Sequence, residues 1–231
     1  THPPPQGDGV FTRSTTGLAC HFSARLALLH GLFECIERDA MARAFRMHGF
    51  FERHRISPPQ SGAISELLQT AGDAGISTGF WQAPSPTGLP VIWCQALETG
   101  PGRPLLPLPT EGYSARASIE EACEDALREA LATRAAAISG TRDDQTAPHY
   151  GEGPFARALA EARDLILNGA RQAMPADQTV PPPASLADLL ALVEAAKLGP
   201  VFAVPVGADD EAGIVCIRTV LARAQAFSVV R

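Results

Sequence analysis

Acidic residues occur in two parts of the chain at spacings that would place them on one face of a helix, where they could bind a metal ion. Glu34 and Glu37 are three residues apart and are followed by Arg38, while Glu129 comes four residues after Asp125. Side chains three or four residues apart share one face of an α-helix. Mg²⁺ takes oxygen ligands and usually shares them with nucleotide phosphates. These residues therefore predict a magnesium site on Glu34, Glu37 and Glu129.

The first acidic pair belongs to a longer polar stripe, formed by His30, Glu34, Glu37, Arg38 and Met41. A partly buried carboxylate is costly unless a cation or a proton donor neutralises it. Arg38 can offset only one of the two glutamates, so a bound cation is expected. Both flanks of the stripe are apolar, which places the carboxylates in a cleft or at its edge; the flanking residues are Leu28, Leu32, Cys35, Leu29, Phe33 and Ile36.

A second polar stripe follows about 95 residues later, at Asp125, Glu129 and Thr133. If the two stripes pack about a pseudo-twofold axis, Glu34, Glu37 and Glu129 converge on one cavity and could hold two metal ions around a triphosphate. The alternative is that these residues form ordinary salt bridges on solvated helices, as most Glu and Arg pairs do.

Two long helices must position these stripes. Ser23 can cap the first, predicted from about 24 to 51, and Ser118 with Glu121 forms a capping box for the second. A strand is predicted before the first helix, and a Pro-interrupted edge strand and loop before the second. Shifting the chain by 95 positions places Ser23 on Ser118 and Glu34 on Glu129, which favours an internal repeat with units at about 10–51 and 105–140.

The remaining patterns complete an α/β or α+β domain. Residues 76–83 and 88–97 read as two strands joined by a hairpin or a crossover, and residues 155–173 as a helix. The helix that starts after Ser185 leads into two strands of buried type, at 200–206 and 213–221. A second subunit of a homodimer would be one way to complete these apolar strands.

Composition argues against several classes of partner. The net charge is −6 and Lys197 is the only lysine, so binding to nucleic acid is not expected. The five cysteines contain no CxxC pair, which favours reduced, cytosolic thiols over a disulfide framework. No apolar run is long enough to span a bilayer, and the first residues lack a signal-peptide pattern. A cytoplasmic protein without membrane contact is expected.

Three blocks of the sequence resemble the YcaO family. STTGLACHFSARLALLHGLFECIERDA is similar to its signature of a small-residue turn followed by an ExxER helix. GYSARASIEEACEDALREALATRAAAISGTRDD resembles the second nucleotide-binding helix with its Arg-Asp-Asp turn, and PVFAVPVGADDEAGIVCIRTVL the later strand pair. The three blocks stand in the family's order over most of the chain.

The resemblance implies a pseudo-symmetric YcaO-like fold, with two strand–long-helix repeats on mixed sheets. It also implies an ATP site in which Glu34, Glu37 and Glu129 bind Mg²⁺, with Asp125 beside them. Arg38 and Arg142 match family arginines that contact phosphate or steady a carboxylate. Family members phosphorylate a peptide amide oxygen during azoline, thioamide or amidine formation, so the implied partners are a peptide substrate and an E1-like or TfuA-like protein. The resemblance assigns no catalytic residue.

The chain departs from the family pattern at two positions, Thr133 in place of Gln and His21 in place of Gly. It is also short, so we expect residues 1–231 to form a single YcaO-like domain that is incomplete relative to the family. A non-catalytic YcaO-like subunit that binds a precursor peptide or a partner protein is the alternative. An unrelated α/β domain with solvated helices is a weaker third interpretation.

Overall fold

The fold is taken from a computed structural model, which describes residues 14–60, 62–101, 104–141, 156–169 and 173–227. Arg142, predicted to contact phosphate or to steady a carboxylate, lies outside these ranges, as does the start of the first proposed repeat unit at 10–13. Within the described residues no helix is long and apolar enough to cross a membrane.

Strands and helices are interspersed along the described chain, as expected for the mixed α/β class that the sequence patterns predicted. The strands are β1 Leu18–His21, β2 Arg55–Ser57, β3 Ile76–Ala83, β4 Val91–Glu98, β5 Thr110–Ala115, β6 Met174–Pro175, β7 Val201–Asp209 and β8 Ile214–Leu221. The helices are α1 Ala24–Ala44, α2 Phe50–Arg53, α3 Gly62–Asp73, α4 Ile119–Ile138, α5 Ala156–Leu167 and α6 Leu186–Ala195.

The strands form two sheets. One has three antiparallel strands in the order β1-β8-β7. The other has five strands in the order β5-β4-β3-β2-β6, and it is mixed because β2 and β6 run parallel. Strands β1 and β5, which precede the two long helices, are therefore both edge strands of these sheets.

Helix α1 lies between the two sheets, and α4 covers the opposite face of the five-stranded sheet. Alternate residues of a strand point to opposite faces. Trp81 and Trp93 accordingly pack into a core with α1, while Phe80 and Ile92 pack into a second core with α4. Both faces of this sheet are covered, which fixes its register.

Local sequence explains where the long helices begin and end. Ser118 caps α4 as predicted, its hydroxyl accepting a hydrogen bond from the Glu121 N–H. Ser23 has the extended backbone of an N-cap residue, although its side chain makes no capping bond. The predicted end of α1 near residue 51 is wrong. The helix stops at Ala44, and Gly49 with φ of 73° turns the chain before α2.

Strand β7 corrects the prediction of two buried strands at the C-terminal end. Most of its residues are exposed, including Phe202 and Val206. It is an edge strand of the three-stranded sheet, and no described helix covers it. An apolar sequence indicates that a strand is suited to burial, but it cannot show whether a helix or a second sheet packs against that strand.

A disulfide corrects the prediction that the cysteines are reduced thiols. Cys20 on β1 is bonded to Cys216 on β8, and the two residues are direct partners in the antiparallel register. Their Cα atoms are 4.1 Å apart. Since 196 positions separate them along the chain, spacing in the sequence gave no indication of this pair. Cys35, Cys94 and Cys123 are free and buried.

Candidate functional site

The predicted glutamates line one cavity of about 320 Å³ between α1 and α4. It opens beside β5, the edge strand that the two helices flank from either side. The lining residues are His30, Glu34, Glu37, Arg38, Tyr113, Arg116, Asp125 and Glu129. The cavity thus brings together the two stripes that the sequence placed on separate helices.

Backbone N–H groups hold a glutamate on each long helix in the same way. The Gly17 N–H, just before β1, donates a hydrogen bond of 3.0 Å to Glu34 Oε2. The Tyr113 N–H on β5 donates one of 2.6 Å to Glu129 Oε2. An edge strand has N–H groups that no neighbouring strand uses. Each edge therefore orients one glutamate and leaves its second oxygen, Oε1, for another partner.

Close glycine contacts let each long helix approach its strand. A Cβ on Gly31 of α1 would lie 2.6 Å from the Gly17 carbonyl oxygen. A Cβ on Gly112 of β5 would lie 2.5 Å from the Ala130 nitrogen on α4 and would also collide with the Ala126 carbonyl oxygen. Real side chains do not tolerate these separations, so the positions of Glu34 and Glu129 depend on the two glycines.

Glu37 is the most buried acid of the cavity, at 7% exposure. Burial raises its pKa to about 7, the Arg38 charge opposes that rise, and the charges of Glu129 and Glu34 add to it. Arg38 Nε lies 3.3 Å from Glu37 Oε1 and 4.0 Å from Glu34 Oε1. Arg38 therefore neutralises part of the acidic charge, as predicted, and is itself engaged by it.

Glu129 is more exposed than Glu37, yet the surrounding protein still affects its charge. Partial burial raises its pKa, while the hydrogen bond from Tyr113 and the charge of Arg38 lower it. The cavity as a whole contains four carboxylates and only two guanidinium groups. This excess of negative charge favours a bound cation.

Two cavity residues were missed by sequence reasoning, and both come from β5 and the residue after it. Tyr113 is buried and stacks against the Arg38 guanidinium, whose carbon is 5.5 Å from the ring centroid. Arg116 Nε donates a 2.6 Å hydrogen bond to Asp125 Oδ2. Neither residue belongs to a helical stripe, and an arginine just after a strand resembles any solvated arginine. Thr133, by contrast, does not line the cavity.

The donor set fits a magnesium ion that shares its ligands with phosphate. Among the described residues, no three acidic, histidine or cysteine side chains are close enough to form an ion site by themselves. Mg²⁺ commonly needs only one or two protein carboxylates, with water and phosphate oxygens filling its other positions. Glu34, Glu37 and Glu129 are the side chains from which those one or two carboxylates would come, with a nucleotide completing the coordination.

Comparison with known proteins decides the family. The model described as "YcaO cyclodehydratase, ATP- and Mg²⁺-binding" matches residues 1–224. The chain belongs to the YcaO family. The resemblance found in the sequence blocks is thereby confirmed, and so is the mixed α/β fold with two sheets.

Solved structures share this YcaO fold at low sequence identity. A heterocyclase in complex with substrate and cofactor has a TM-score of 0.70 and 16% identity, over 98% of this chain and 30% of that one. YcaO from Methanopyrus kandleri, bound with AMPPCP and Mg²⁺, has a TM-score of 0.66 and 19% identity, over 96% of this chain and 58% of that one.

A protein of Methanothermobacter thermautotrophicus is 33% identical over 146 residues, which cover 62% of this chain and 38% of that protein. The chain thus spans about two fifths of the length of the curated relatives it matches. The family is described as ATP- and Mg²⁺-binding and cyclodehydratase-like.

Proposed function

We propose that this YcaO domain uses ATP and Mg²⁺ to phosphorylate a backbone amide oxygen of a ribosomal peptide, leading to an azoline heterocycle or a thioamide. The observation that carries the proposal is the acidic cavity in which Glu34, Glu37 and Glu129 meet between the two long helices. The description of the family as ATP- and Mg²⁺-binding supports the choice of this nucleotide and this ion.

The proposed reaction solves the problem of a poor leaving group. The amide oxygen would bond to the γ-phosphorus as the bond to ADP breaks, and a nucleophile would add to the amide carbon. The oxygen would then depart with phosphate, while two protons of the reacting groups pass to solvent. The nucleophile is a Cys, Ser or Thr side chain for an azoline and a sulfide donor for a thioamide. When bound, ATP supplies the phosphoryl group and Mg²⁺ neutralises charge on the phosphates.

The residues of the chain contribute position and charge. Glu34 and Glu129 are held by backbone N–H groups, so each can present its other carboxylate oxygen without reorganising. Pre-oriented groups of this kind act mainly by fixing geometry and by stabilising charge. Arg38 keeps the acidic cluster partly neutralised before a metal ion binds.

The proposed reaction requires a peptide substrate and is expected to involve a partner protein. A heterocyclase with the same fold was solved in complex with a substrate, and we expect a peptide in that role here. An E1-like or TfuA-like protein would present that peptide, and the exposed apolar residues of β7 would suit contact with such a protein or with a second copy of the chain.

A nucleotide-binding experiment tests the proposal. Calorimetric titration with a non-hydrolysable ATP analogue should give binding that requires Mg²⁺, and Glu34→Gln or Glu129→Gln should weaken it at least about tenfold, since each removes a charged ligand. Glu124→Gln is the matched control, because Glu124 lies on α4 outside the cavity and pairs with Arg128. The proposal fails if the protein binds no nucleotide, or if both cavity variants bind as the wild type does.

Phosphate release separates an enzyme from a binding subunit. Release stimulated by a candidate precursor peptide, and abolished by Glu129→Gln, is expected for the enzyme. A non-catalytic subunit would bind peptide or partner and release no phosphate.

A further inference from the structure

The two arginines of the cavity are held differently. Arg38 lies between acidic and aromatic side chains, with its Nε 3.3 Å from Glu37 Oε1 and its guanidinium over the rings of Tyr113 and Phe227. Its charge is thus committed to Glu37. Arg116 is fixed at one end only: its Nε donates to Asp125 Oδ2 and its Nη1 to the Ala115 carbonyl oxygen.

The outer part of the Arg116 guanidinium remains available for a ligand. A guanidinium carries five N–H donors in one plane, and the hydrogen bonds recorded among the described residues use only Nε and Nη1. The side chain lines the cavity and is 30% exposed. Nη2 can therefore meet an acceptor within the cavity, and the planar fork of arginine suits phosphate oxygens.

The carboxylate of Asp125 is engaged by Arg116. Its Oδ2 accepts the 2.6 Å bond from Arg116 Nε, which makes a close ion pair at the mouth of the cavity. Glu34 and Glu129, by contrast, are held by backbone N–H groups and meet no cation so closely within the described part of the chain. A carboxylate in a close ion pair with arginine is a poorer metal ligand, because binding the ion would break the pair.

We propose that Arg116 contacts the phosphates of the bound nucleotide, and that Asp125 is a positioning residue that acts through Arg116 and does not ligate the metal ion. This inference rests on the proposed function. It refines the sequence-based prediction that Asp125 belongs to the cofactor-binding residues, since Asp125 would act on the nucleotide through Arg116. It also adds Arg116 to Arg38 and Arg142, for which the resemblance implied a contact with phosphate or the steadying of a carboxylate.

A double-mutant cycle on nucleotide binding tests the proposal. Arg116→Gln should weaken binding of the Mg²⁺-bound, non-hydrolysable ATP analogue about 10- to 100-fold, the range for a charge-assisted hydrogen bond. Arg116→Lys keeps the charge and should recover part of that loss. Asp125→Asn should weaken binding less in the wild-type background and not at all in Arg116→Gln. Adenosine binding should be unaffected by any of them.

A magnesium titration gives the second readout. The Mg²⁺ concentration at half-maximal nucleotide binding should be the same in Arg116→Gln with and without Asp125→Asn. Arg128→Gln is the matched control, because Arg128 forms a similar ion pair with Glu124 on α4 outside the cavity. Its affinity should equal that of the wild type, and thermal melting confirms that each variant is folded.

Three outcomes would overturn the inference. Unchanged affinity in Arg116→Gln would exclude the phosphate contact. A shift in the magnesium midpoint caused by Asp125→Asn in the Arg116→Gln background would make Asp125 a metal ligand. Absence of nucleotide binding by the folded wild type would remove the proposed function and this inference together, whereas the first two outcomes leave the proposed function intact.

Discussion

Among single residues, the buried carboxylate of Glu37 gives the clearest expectation for how stability depends on pH. Its pKa is raised to about 7 from an ordinary value of 4.5, chiefly because burial separates the charge from water. The folded protein therefore binds a proton at this site more tightly than the unfolded chain does. The stability that Glu37 contributes is complete below about pH 4.5 and is lost as the pH rises through 7.

Glu37→Gln should remove this dependence on pH. In protein without nucleotide or metal, the variant should be more stable than the wild type at pH 8, by up to about 3 kcal/mol, because a pKa change from 4.5 to about 7 corresponds to that free energy. Near pH 4 the difference should nearly vanish. Urea unfolding at both pH values measures it, with Glu124→Gln as control. The same gain at both pH values would contradict the assignment.

Sequence spacing was sufficient to predict which helical residues line the cavity, but it did not predict the lining residues on or next to strands. Glu34, Glu37, Arg38, Asp125 and Glu129 all line the cavity, because helical periodicity fixes which side chains share a face. Their roles as ligands stay predictions, and Arg142 lies outside the described residues. Tyr113 and Arg116 reach the cavity through the register of β5, which depends on pairing with β4. No local pattern encodes that pairing.

At the scale of secondary-structure elements, the contact between β5 and α4 determines where Glu129 lies. Gly112 is in the tightest part of that contact, where a Cβ would meet backbone atoms of Ala126 and Ala130. Gly112→Ala should therefore destabilise the protein by about 1 to 3 kcal/mol, the usual range for overpacking. It should also weaken nucleotide binding, since α4 must move away from the Tyr113 N–H. Urea unfolding and calorimetric titration measure the two effects.

Gly72→Ala is the matched control for this prediction. Gly72 lies within α3, and a Cβ there would have no atom within 4 Å. The substitution should stabilise the helix by as much as about 1 kcal/mol, because alanine has the better helix propensity. Equal effects of the two substitutions would mean that the β5–α4 contact is looser than described.

The boundaries of strands and helices could be predicted where residues close in sequence, such as a capping serine or a turn, mark them. Strands β3 and β4, their hairpin, and α4 with its Ser118 cap lie where the patterns placed them. The end of α1 was misplaced because residues 45–51 have helical composition, and only the left-handed backbone of Gly49 shows the break. The exposure of β7 depends on which layers cover it, a property that is absent from the strand's own sequence.

At the scale of the whole molecule, the cavity lies where the edges of two sheets face each other across α1. The three-stranded sheet fixes the Gly17 side of the cavity, since the Thr219 N–H on β8 donates a 2.7 Å hydrogen bond to the Gly17 carbonyl oxygen. Gly17 in turn holds Glu34. The parallel contacts at Gly17 and Tyr113 support an internal repeat, which stays a proposal together with the single-domain boundary at 1–231.

The Cys20–Cys216 disulfide joins β1 to β8 next to this linkage, so its loss should affect the whole fold. A native disulfide typically stabilises a protein by about 2 to 4 kcal/mol, and by more when the closed loop is long. Under denaturing conditions without reductant, thiol titration should find three groups, those of Cys35, Cys94 and Cys123, and five after reduction. Reductant should lower the melting temperature of the wild type but not of Cys20→Ser. Five titratable thiols before reduction would show that β1 and β8 pair without a covalent link.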